Sequence, residues 1–331
     1  MTEQCKICNN TFGNVNFVVR EMMFGTKENF VYFKCSVCGC LQLQEPPEEI
    51  SLYYPSDYGS FRKAEVQKNC SYKIRRVIRY IFFDFIFSYQ WSSRLMKIFF
   101  PKKIEHLKWL KMLVRYEAIK KTSAVLDVGC GTGYLLRGMS AWGFKNLTGI
   151  DLYIENDILD EKIKIFKEDI FNHMGVYDLV MLHHSFEHMA EPRLVLRRLY
   201  EMLSSHGFLL IRIPICDSFA WRKYGVNWFQ IDAPRHLFLH TIRSMMLLSQ
   251  DVGFTLRGIE YDSTEEQFLI SDNYCRDIPF VENRIFSTNG IHVFEKQAKL
   301  LNELMDGDQA CFVFQKGADV VSLEKNKRII L

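Results

Sequence analysis

The chain has 331 residues, of which 48% are hydrophobic and 24% charged, and its formal net charge is +3. This composition excludes a largely disordered protein, and the length favours two structural units, one of them small. The first ten residues are polar and no long uncharged apolar run occurs, so we expect a cytoplasmic protein without a secretion signal or a membrane-spanning helix.

The first predicted element is a metal-binding module at the N-terminus. Its four cysteines form two C-x-x-C pairs, Cys5 with Cys8 and Cys35 with Cys38. The pairs are 26 residues apart, and a short strand is predicted between them at 29–33. Four thiolates suit tetrahedral Zn²⁺ and leave no open coordination position, so we expect structural zinc. Free or buried thiols are the alternative, and Cys40 is a spare that could replace Cys38.

A strongly basic segment follows. We assign residues 1–58 to the zinc-binding module and a Pro- and Tyr-rich connector, and residues 59–121 to a basic helical segment. Residues 62–121 contain 16 Lys and Arg against four acids. The aromatic and basic stretch 72–100 is open to three interpretations: a helix lying on the inner face of a membrane, a phosphate-binding wall, or a helical cap with a solvated basic face.

From residue 122 onward, short apolar runs alternate with helical segments. The predicted strands lie at 124–128, 147–150, 163–166, 179–182, 208–213, 255–261 and 309–315, and helices are predicted at 192–203 and near 294–305. Alternation of this kind predicts an α/β domain with a parallel sheet covered on both faces. We assign this domain to residues 122–331, with a substrate loop at 214–240 and an insertion at 262–308 that forms either a lid or a dimer surface.

A glycine turn follows the first strand of that domain. The strand at 124–128 runs into Gly129-Cys130-Gly131-Thr132-Gly133, where the backbone can turn tightly against a nucleotide-like ligand. The next strand ends at Asp151, 22 residues after Gly129, where a carboxylate can accept both ribose hydroxyls. Asp169 follows the third strand and can accept a hydrogen bond from an adenine amino group. The alternatives are a plain strand-to-helix turn and a solvated loop carboxylate.

Two features of this turn argue against a dinucleotide. The position of the third glycine in G-x-G-x-x-G is Tyr134, and the carboxylate of Asp127 would repel a pyrophosphate but suits a cationic ligand. S-adenosylmethionine carries a sulfonium and an ammonium and no phosphate. We therefore predict S-adenosylmethionine as the cofactor.

These residues resemble a known family. Val-Leu-Asp-Val-Gly-Cys-Gly-Thr-Gly, with Asp151 and Asp169, resembles class I S-adenosylmethionine-dependent methyltransferases, and residues 177–188 resemble their fourth-strand motif. The cysteine module and the segments 232–237, 247–254, 262–268 and 307–310 are similar to bacterial methyltransferases that accompany cell-surface polysaccharide or sugar biosynthesis. The resemblance implies a Rossmann-like, seven-stranded methyltransferase sheet with a small N-terminal zinc-binding module and a helical linker. We assign cofactor binding to Asp127, Gly129, Gly131, Gly133, Asp151, Leu152, Asp169, Ile170 and His184.

Catalytic groups are expected in the loops at the carboxyl ends of the strands, the usual ligand side of such sheets. In the substrate loop 214–240 we interpret His236 as the base, Arg235 as the group that holds an anionic part of the acceptor, and Asp232 as the residue that orients the loop. His188, after the fourth strand, is a further candidate. The alternatives are that His236 only makes structural hydrogen bonds and that His188 belongs to a helix cap.

The sequence thus predicts methyl transfer to the carbon or oxygen of a small or medium acceptor, a sugar or sugar derivative such as a nucleotide-sugar or lipid-linked sugar. Sugar C-methyltransferases that the chain resembles carry a cysteine module as part of the substrate-side wall. A family of ribosomal-RNA guanine methyltransferases also combines N-terminal zinc with this catalytic fold, so an RNA acceptor is an alternative. A cofactor-binding assembly protein without catalysis is a third hypothesis.

Overall fold

The computed structural model describes residues 4–54, 108–116, 118–282 and 288–317. The strands are β1 (Val15–Arg20), β2 (Asn29–Lys34), β3 (Leu41–Leu43), β4 (Ala124–Val128), β5 (Asn146–Ile150), β6 (Ile158–Leu159), β7 (Lys164–Phe166), β8 (Tyr177–His183), β9 (Leu203–Pro214), β10 (Phe238–Leu239), β11 (Phe254–Tyr261) and β12 (Gln309–Lys316). The α-helices are α1 (Lys108–Arg115), α2 (Tyr134–Ala141), α3 (Pro192–Met202), α4 (Phe219–Tyr224), α5 (Ile242–Val252), α6 (Glu266–Cys275) and α7 (Thr288–Glu303). Most of the predicted basic segment, including the stretch 72–100, lies outside the described residues.

The larger sheet has eight described strands in the order β11-β12-β9-β8-β4-β5-β7-β6. The five central strands from β9 to β7 are parallel to one another. Strand β12 is antiparallel to both of its neighbours, β11 and β9. This mixed α/β sheet is Rossmann-like, and its central strands β4 and β8 are mostly apolar and buried along most of their length.

The seven predicted strands are all present, with boundaries that differ by a few residues, and β9 begins five residues before its predicted start. The described sheet also has an eighth strand, β6, which is two residues long and pairs antiparallel with β7 at the edge of the sheet. So short a strand has no period-2 signature in the sequence. The helices predicted at 192–203 and near 294–305 correspond to α3 and α7.

The N-terminal module forms its own antiparallel sheet, in the order β1-β2-β3-β10. Strand β10 belongs to the substrate loop, and its two residues, Phe238 and Leu239, pair with Gln42 and Leu41 of β3. The hydroxyl of Tyr32 in β2 also donates a hydrogen bond to the carbonyl of His236 at 2.8 Å. The module and the catalytic domain therefore share a sheet and a continuous apolar core.

The insertion at 262–308 packs against the substrate loop and the module. The Phe229 amide of the loop donates to the hydroxyl of Ser271 in α6 at 3.1 Å, and the Phe280 amide donates to the carbonyl of Met22 at 2.9 Å. Helix α6 thereby supports the loop from behind. Within the described ranges, no helix has the length and apolarity needed to cross a membrane.

The shared sheet predicts a large stability effect at Leu239. Its side chain is fully buried, so Leu239→Ala should lower the free energy of unfolding by about 2–5 kcal/mol, through lost burial and the cavity left behind. The measurement is urea denaturation followed by fluorescence. Leu247→Ala is the matched control, because Leu247 is 38% exposed on α5 and should cost much less. Equal losses in the two variants would contradict a structural role for β10.

Candidate active site

The glycine turn lies between β4 and α2 and is tightly enclosed. Gly129, Gly131 and Gly133 all have positive φ, at 75°, 53° and 80°. A Cβ atom on Gly129 would lie 2.5 Å from the Cβ of Ser185, and one on Gly133 would lie 2.4 Å from Cδ1 of Ile165. Both the backbone conformation and the space therefore require glycine at these two positions.

Two carboxylates flank the turn. Asp151, at the end of β5, accepts hydrogen bonds from the amides of Gly131 at 2.8 Å and Tyr153 at 2.9 Å, and so fixes the turn against the second strand. Asp127 is buried within β4, where desolvation and the neighbouring Asp151 raise its pKa to about 8. The turn thus places two carboxyl groups close together, and a cationic ligand would favour the ionised form of both.

Asp169 lies in the loop after β7 and is half-buried. Its carboxylate accepts a hydrogen bond from the Phe171 amide at 2.8 Å, which orders the loop. Beside it, Glu168 and the hydroxyl of Tyr177 hold the two ring nitrogens of His173, each at 2.7 Å. These contacts of His173 were not evident from the sequence.

A cavity of about 700 Å³ opens above the carboxyl ends of β4, β5 and β8. It brings together most of the predicted cofactor and catalytic positions. Its lining includes Gly129, Asp151, Leu152, Asp169, Ile170, His184, His188, Asp232, Arg235 and His236. The predicted positions Asp127, Gly131 and Gly133 lie beneath it, in or next to the turn. The cavity therefore joins the predicted cofactor side to the predicted acceptor side.

The imidazoles of His188 and His236 pack edge to face in this cavity, with ring centroids 4.7 Å apart. Nδ1 of His236 lies 2.7 Å from the carbonyl of Gln230, and Nδ1 of His188 lies 2.8 Å from the carbonyl of Arg235. A carbonyl can only accept, so Nδ1 carries the hydrogen in both rings and Nε2 has the free lone pair. His188 does not cap a helix as one alternative held, because its short 3₁₀ turn (Phe186–His188) ends before α3 begins at Pro192.

The guanidinium of Arg235 is fully buried and bonded to protein groups. It donates to Glu21 at 2.8 Å, to Asp232 at 2.6 Å and to the carbonyl of Tyr53 at 3.1 Å. Burial disfavours its charge, but the two carboxylates outweigh this effect and raise the pKa of the guanidinium above its usual value. This geometry favours a positioning role for Arg235 over the direct contact with an anionic acceptor group that the sequence suggested.

Glu187 lies beneath the two imidazoles and is fully buried. Its carboxylate is 3.4 Å from Nδ1 of His184 and 3.9 Å from Nε2 of His236. His184 has a positive φ of 52°, and its Nε2 lies 2.6 Å from the guanidinium of Arg212. A network of charged and polar side chains therefore supports the floor of the cavity.

The four predicted zinc ligands converge in the N-terminal module. The Sγ atoms of Cys5 and Cys38 are 3.6 Å apart, and those of Cys8 and Cys35 are 3.5 Å apart. Zn–S bonds of about 2.3 Å in a tetrahedron place sulfur atoms about 3.8 Å apart, so this group fits Zn²⁺. Cys40 is not part of the group.

Comparisons with known proteins agree with this geometry. The family described as "Methyltransferase domain" matches residues 102–258. The ubiquinone biosynthesis O-methyltransferase of Pseudomonas savastanoi is 34% identical over 45% of this chain and 73% of its own, and that of Bordetella avium is 28% identical over 45% and 70%. The chain is also 25% identical to (S)-coclaurine N-methyltransferase of Thalictrum flavum. That match covers 48% of this chain and only half of the relative's length.

The chain belongs to the class I S-adenosylmethionine-dependent methyltransferases. A solved S-adenosylmethionine-dependent methyltransferase from Archaeoglobus fulgidus is 21% identical, with a TM-score of 0.42 over 68% of this chain and all of the other.

The methyltransferase has residues that fit the cofactor. A Cβ atom would fill the cradle at Gly129, and the raised pKa of Asp127 shows that no described positive group compensates its buried charge. An ammonium or sulfonium would supply that compensation. The described lining residues include several carboxylates but no lysine and no free arginine. Such a lining also suits a cofactor that has no phosphate.

The resemblance implied a cysteine module on the substrate side of the site, but the sequence did not show which residues the module contributes to the methyltransferase cavity. Met23, Pro46, Pro47, Ile50 and Tyr54 line it, although residues 46–58 were interpreted only as a connector. The hydroxyl of Tyr54 lies 3.0 Å from Nδ1 of His188, and its ring stacks on that of Tyr153. The only sequence signal was the density of Pro and Tyr there, which also occurs in ordinary loops.

Asp127 provides a test of the cofactor site. With a pKa near 8 it is protonated at pH 7 in the free protein, and a bound cation favours its ionised form. Binding of S-adenosylmethionine at pH 7 should therefore release close to one proton, measured by calorimetry in two buffers of different ionisation enthalpy. Asp127→Asn should abolish this release and weaken binding about 10- to 100-fold.

Asp178→Asn is the matched control, because the Asp178 carboxylate contacts the Ala124 amide and the Ser204 hydroxyl and belongs to neither the turn nor the cavity lining. It should release as many protons as the wild type. Cofactor binding by the wild type without proton release would contradict this account of Asp127.

Proposed function

We propose that this methyltransferase methylates a hydroxyl or acidic carbon of a small or medium acceptor, a sugar or sugar derivative. The observation that carries this proposal is the cavity, in which the carboxyl ends of the cofactor-side strands face His188 and His236. Its volume of about 700 Å³ is in the range of small-molecule sites. Aromatic and polar side chains line it together, as a sugar acceptor requires.

His236 is the proposed base. When bound, S-adenosylmethionine would supply an activated methyl group, whose bond to the sulfonium sulfur would break as the acceptor atom bonds to the methyl. The acceptor's proton goes to Nε2 of His236, which is free because the Nδ1 hydrogen is held by Gln230. Glu187 and Asp232, each 3.9 Å from Nε2, stabilise the imidazolium that forms.

Arg235 acts through the two histidines in this proposal. Its backbone carbonyl accepts a hydrogen bond from Nδ1 of His188, and its guanidinium donates to the carboxylate of Asp232. The backbone carbonyl of Asp232 in turn accepts hydrogen bonds from the amides of Arg235 and His236. The substrate loop is thereby held in one conformation. Preorganisation of this kind keeps the base in place without any contact between Arg235 and the acceptor.

The acceptor class can be tested directly. The enzyme is incubated with S-adenosylmethionine and separate panels of nucleotide-sugars, lipid-linked sugars and RNA, and the products are analysed by mass spectrometry. A methylated sugar supports the proposal. Methylation of RNA alone would overturn it, and transfer to any acceptor excludes a cofactor-binding assembly protein without catalysis.

The base assignment predicts the behaviour of His236→Ala. This variant should bind S-adenosylmethionine with unchanged affinity and lose turnover by about 10²- to 10⁴-fold, because general base catalysis contributes that much. Calorimetry and initial rates give the two quantities. His292→Ala is the matched control, with its side chain 78% exposed on α7, and should keep both. Retained turnover in His236→Ala would return His236 to a structural role.

We also propose that Cys5, Cys8, Cys35 and Cys38 hold one structural zinc ion. The zinc would fix the module that provides one wall of the cavity, including Tyr54. A four-thiolate site is closed, so the ion takes no part in the chemistry.

A pair of serine variants tests the zinc ligands. Cys38→Ser should lower the zinc content of the purified protein and its thermal stability, because the tetrahedral set is broken. Cys40→Ser is the matched control, since Cys40 is buried two residues away but lies outside the group. Zinc is measured by elemental mass spectrometry. Equal zinc in Cys38→Ser and the wild type would exclude this ligand set.

A further inference from the structure

The carboxylate of Glu187 is buried beside two histidines that line the cavity. It is completely buried, and neither of its oxygens has a hydrogen-bond partner among the described residues. A buried carboxylate that lacks partners is energetically costly, so its retention requires an explanation. In the proposed reaction Glu187 stabilises charge on His236, but its contacts with Nδ1 of His184 at 3.4 Å and Nε2 of His236 at 3.9 Å do not form hydrogen bonds.

The two neighbouring histidines are oriented as metal ligands. A metal-binding imidazole usually donates its second ring N–H to a carbonyl or carboxylate, which fixes the tautomer and the ring. His188 and His236 both do this through Nδ1, to two different backbone carbonyls. One ligand atom from each histidine and one from Glu187 lie within 4.8 Å of one another.

The charge around this group also favours a cation. The guanidinium of Arg235 is already bonded to Glu21 and Asp232. That of Arg212, beside His184, is bonded to Asp262. Neither guanidinium is therefore free to balance the buried carboxylate of Glu187. A divalent cation beside Glu187 would balance this charge.

We propose that Glu187, His188 and His236 form a binding site for a divalent transition-metal ion, distinct from the cysteine group. Two imidazoles and one carboxylate match ions such as Zn²⁺, Co²⁺ and Fe²⁺. Bonds of about 2.0–2.2 Å in a tetrahedral set place the ligand atoms about 3.3–3.6 Å apart, so the three side chains must approach one another by up to about 1.5 Å when an ion binds. His188 and His236 line the cavity, which gives the ion a route to the site.

The site has a consequence for turnover that rests on the proposed function. The ion binds through Nε2 of His236, the same lone pair that accepts the acceptor's proton in the proposed reaction. The ion and the proton therefore compete, and the metal-bound enzyme lacks its base. Occupancy of this site should reduce the rate of methyl transfer without changing the affinity for S-adenosylmethionine.

The binding test uses the full chain, first loaded with one equivalent of Zn²⁺ to fill the cysteine group and then titrated with Co²⁺. We expect visible d–d bands from one further bound Co²⁺, without the near-ultraviolet charge-transfer band of thiolate ligands. Glu187→Gln preserves the side-chain shape and should weaken this binding at least tenfold. The matched control, Glu191→Gln, changes an exposed carboxylate of the same cavity and should bind Co²⁺ as the wild type does.

Two results would overturn the site: Co²⁺ that binds only with thiolate bands, or equal affinity in Glu187→Gln and the wild type. If Glu187→Gln does not fold, judged by its thermal transition, His236→Ala replaces it and should show the same loss of binding.

Turnover separates this inference from the proposed function. Inhibition that follows Co²⁺ occupancy in the wild type and weakens in Glu187→Gln supports both. Binding of Co²⁺ with unchanged or increased turnover would keep the metal site but overturn His236 as the base. Methyl transfer that depends on His236, with no Co²⁺ bound, would leave the proposed function intact and overturn the metal site.

Discussion

The proposed acceptor side of this methyltransferase depends on one buried positive charge. The guanidinium of Arg235 can be buried only because Glu21 of the module, Tyr53 of the connector and Asp232 of the substrate loop all reach it. Loss of one partner of a buried ion pair typically costs about 3–5 kcal/mol, because the remaining charge is left uncompensated. Three separate parts of the chain must therefore meet before the carbonyl of Arg235 can hold His188.

The features that the sequence predicted are those with a local signature. Strands such as β4 and β8 are buried on both faces and therefore appear as apolar runs, and the glycine turn is recognisable because positive φ and lack of space both demand glycine. The spacing of the cysteine pairs predicted their convergence for a similar reason, since each pair occupies one tight turn. In all of these cases the physical constraint acts on residues close together in the chain.

The rest of the site rests on contacts between distant residues. Glu21 and Arg235 are 214 positions apart, and Tyr54 and His188 are 134 apart, so no period or motif links them. Arg235 looked like a free cation because its two buried carboxylates could not be seen from the sequence. The alternative that His188 belongs to a helix cap does not hold, because His188 ends a 3₁₀ turn and the next helix begins separately at Pro192.

Strand β10 has only two residues, yet it affects how the chain can change over evolution. It lies in the catalytic domain but completes the antiparallel sheet of the N-terminal module. A gene rearrangement that replaced the N-terminal module alone would remove the partner strand of β10 and leave Arg235 without Glu21. We therefore expect the module and the substrate loop to be inherited together, and a change in acceptor preference to require matched substitutions in both.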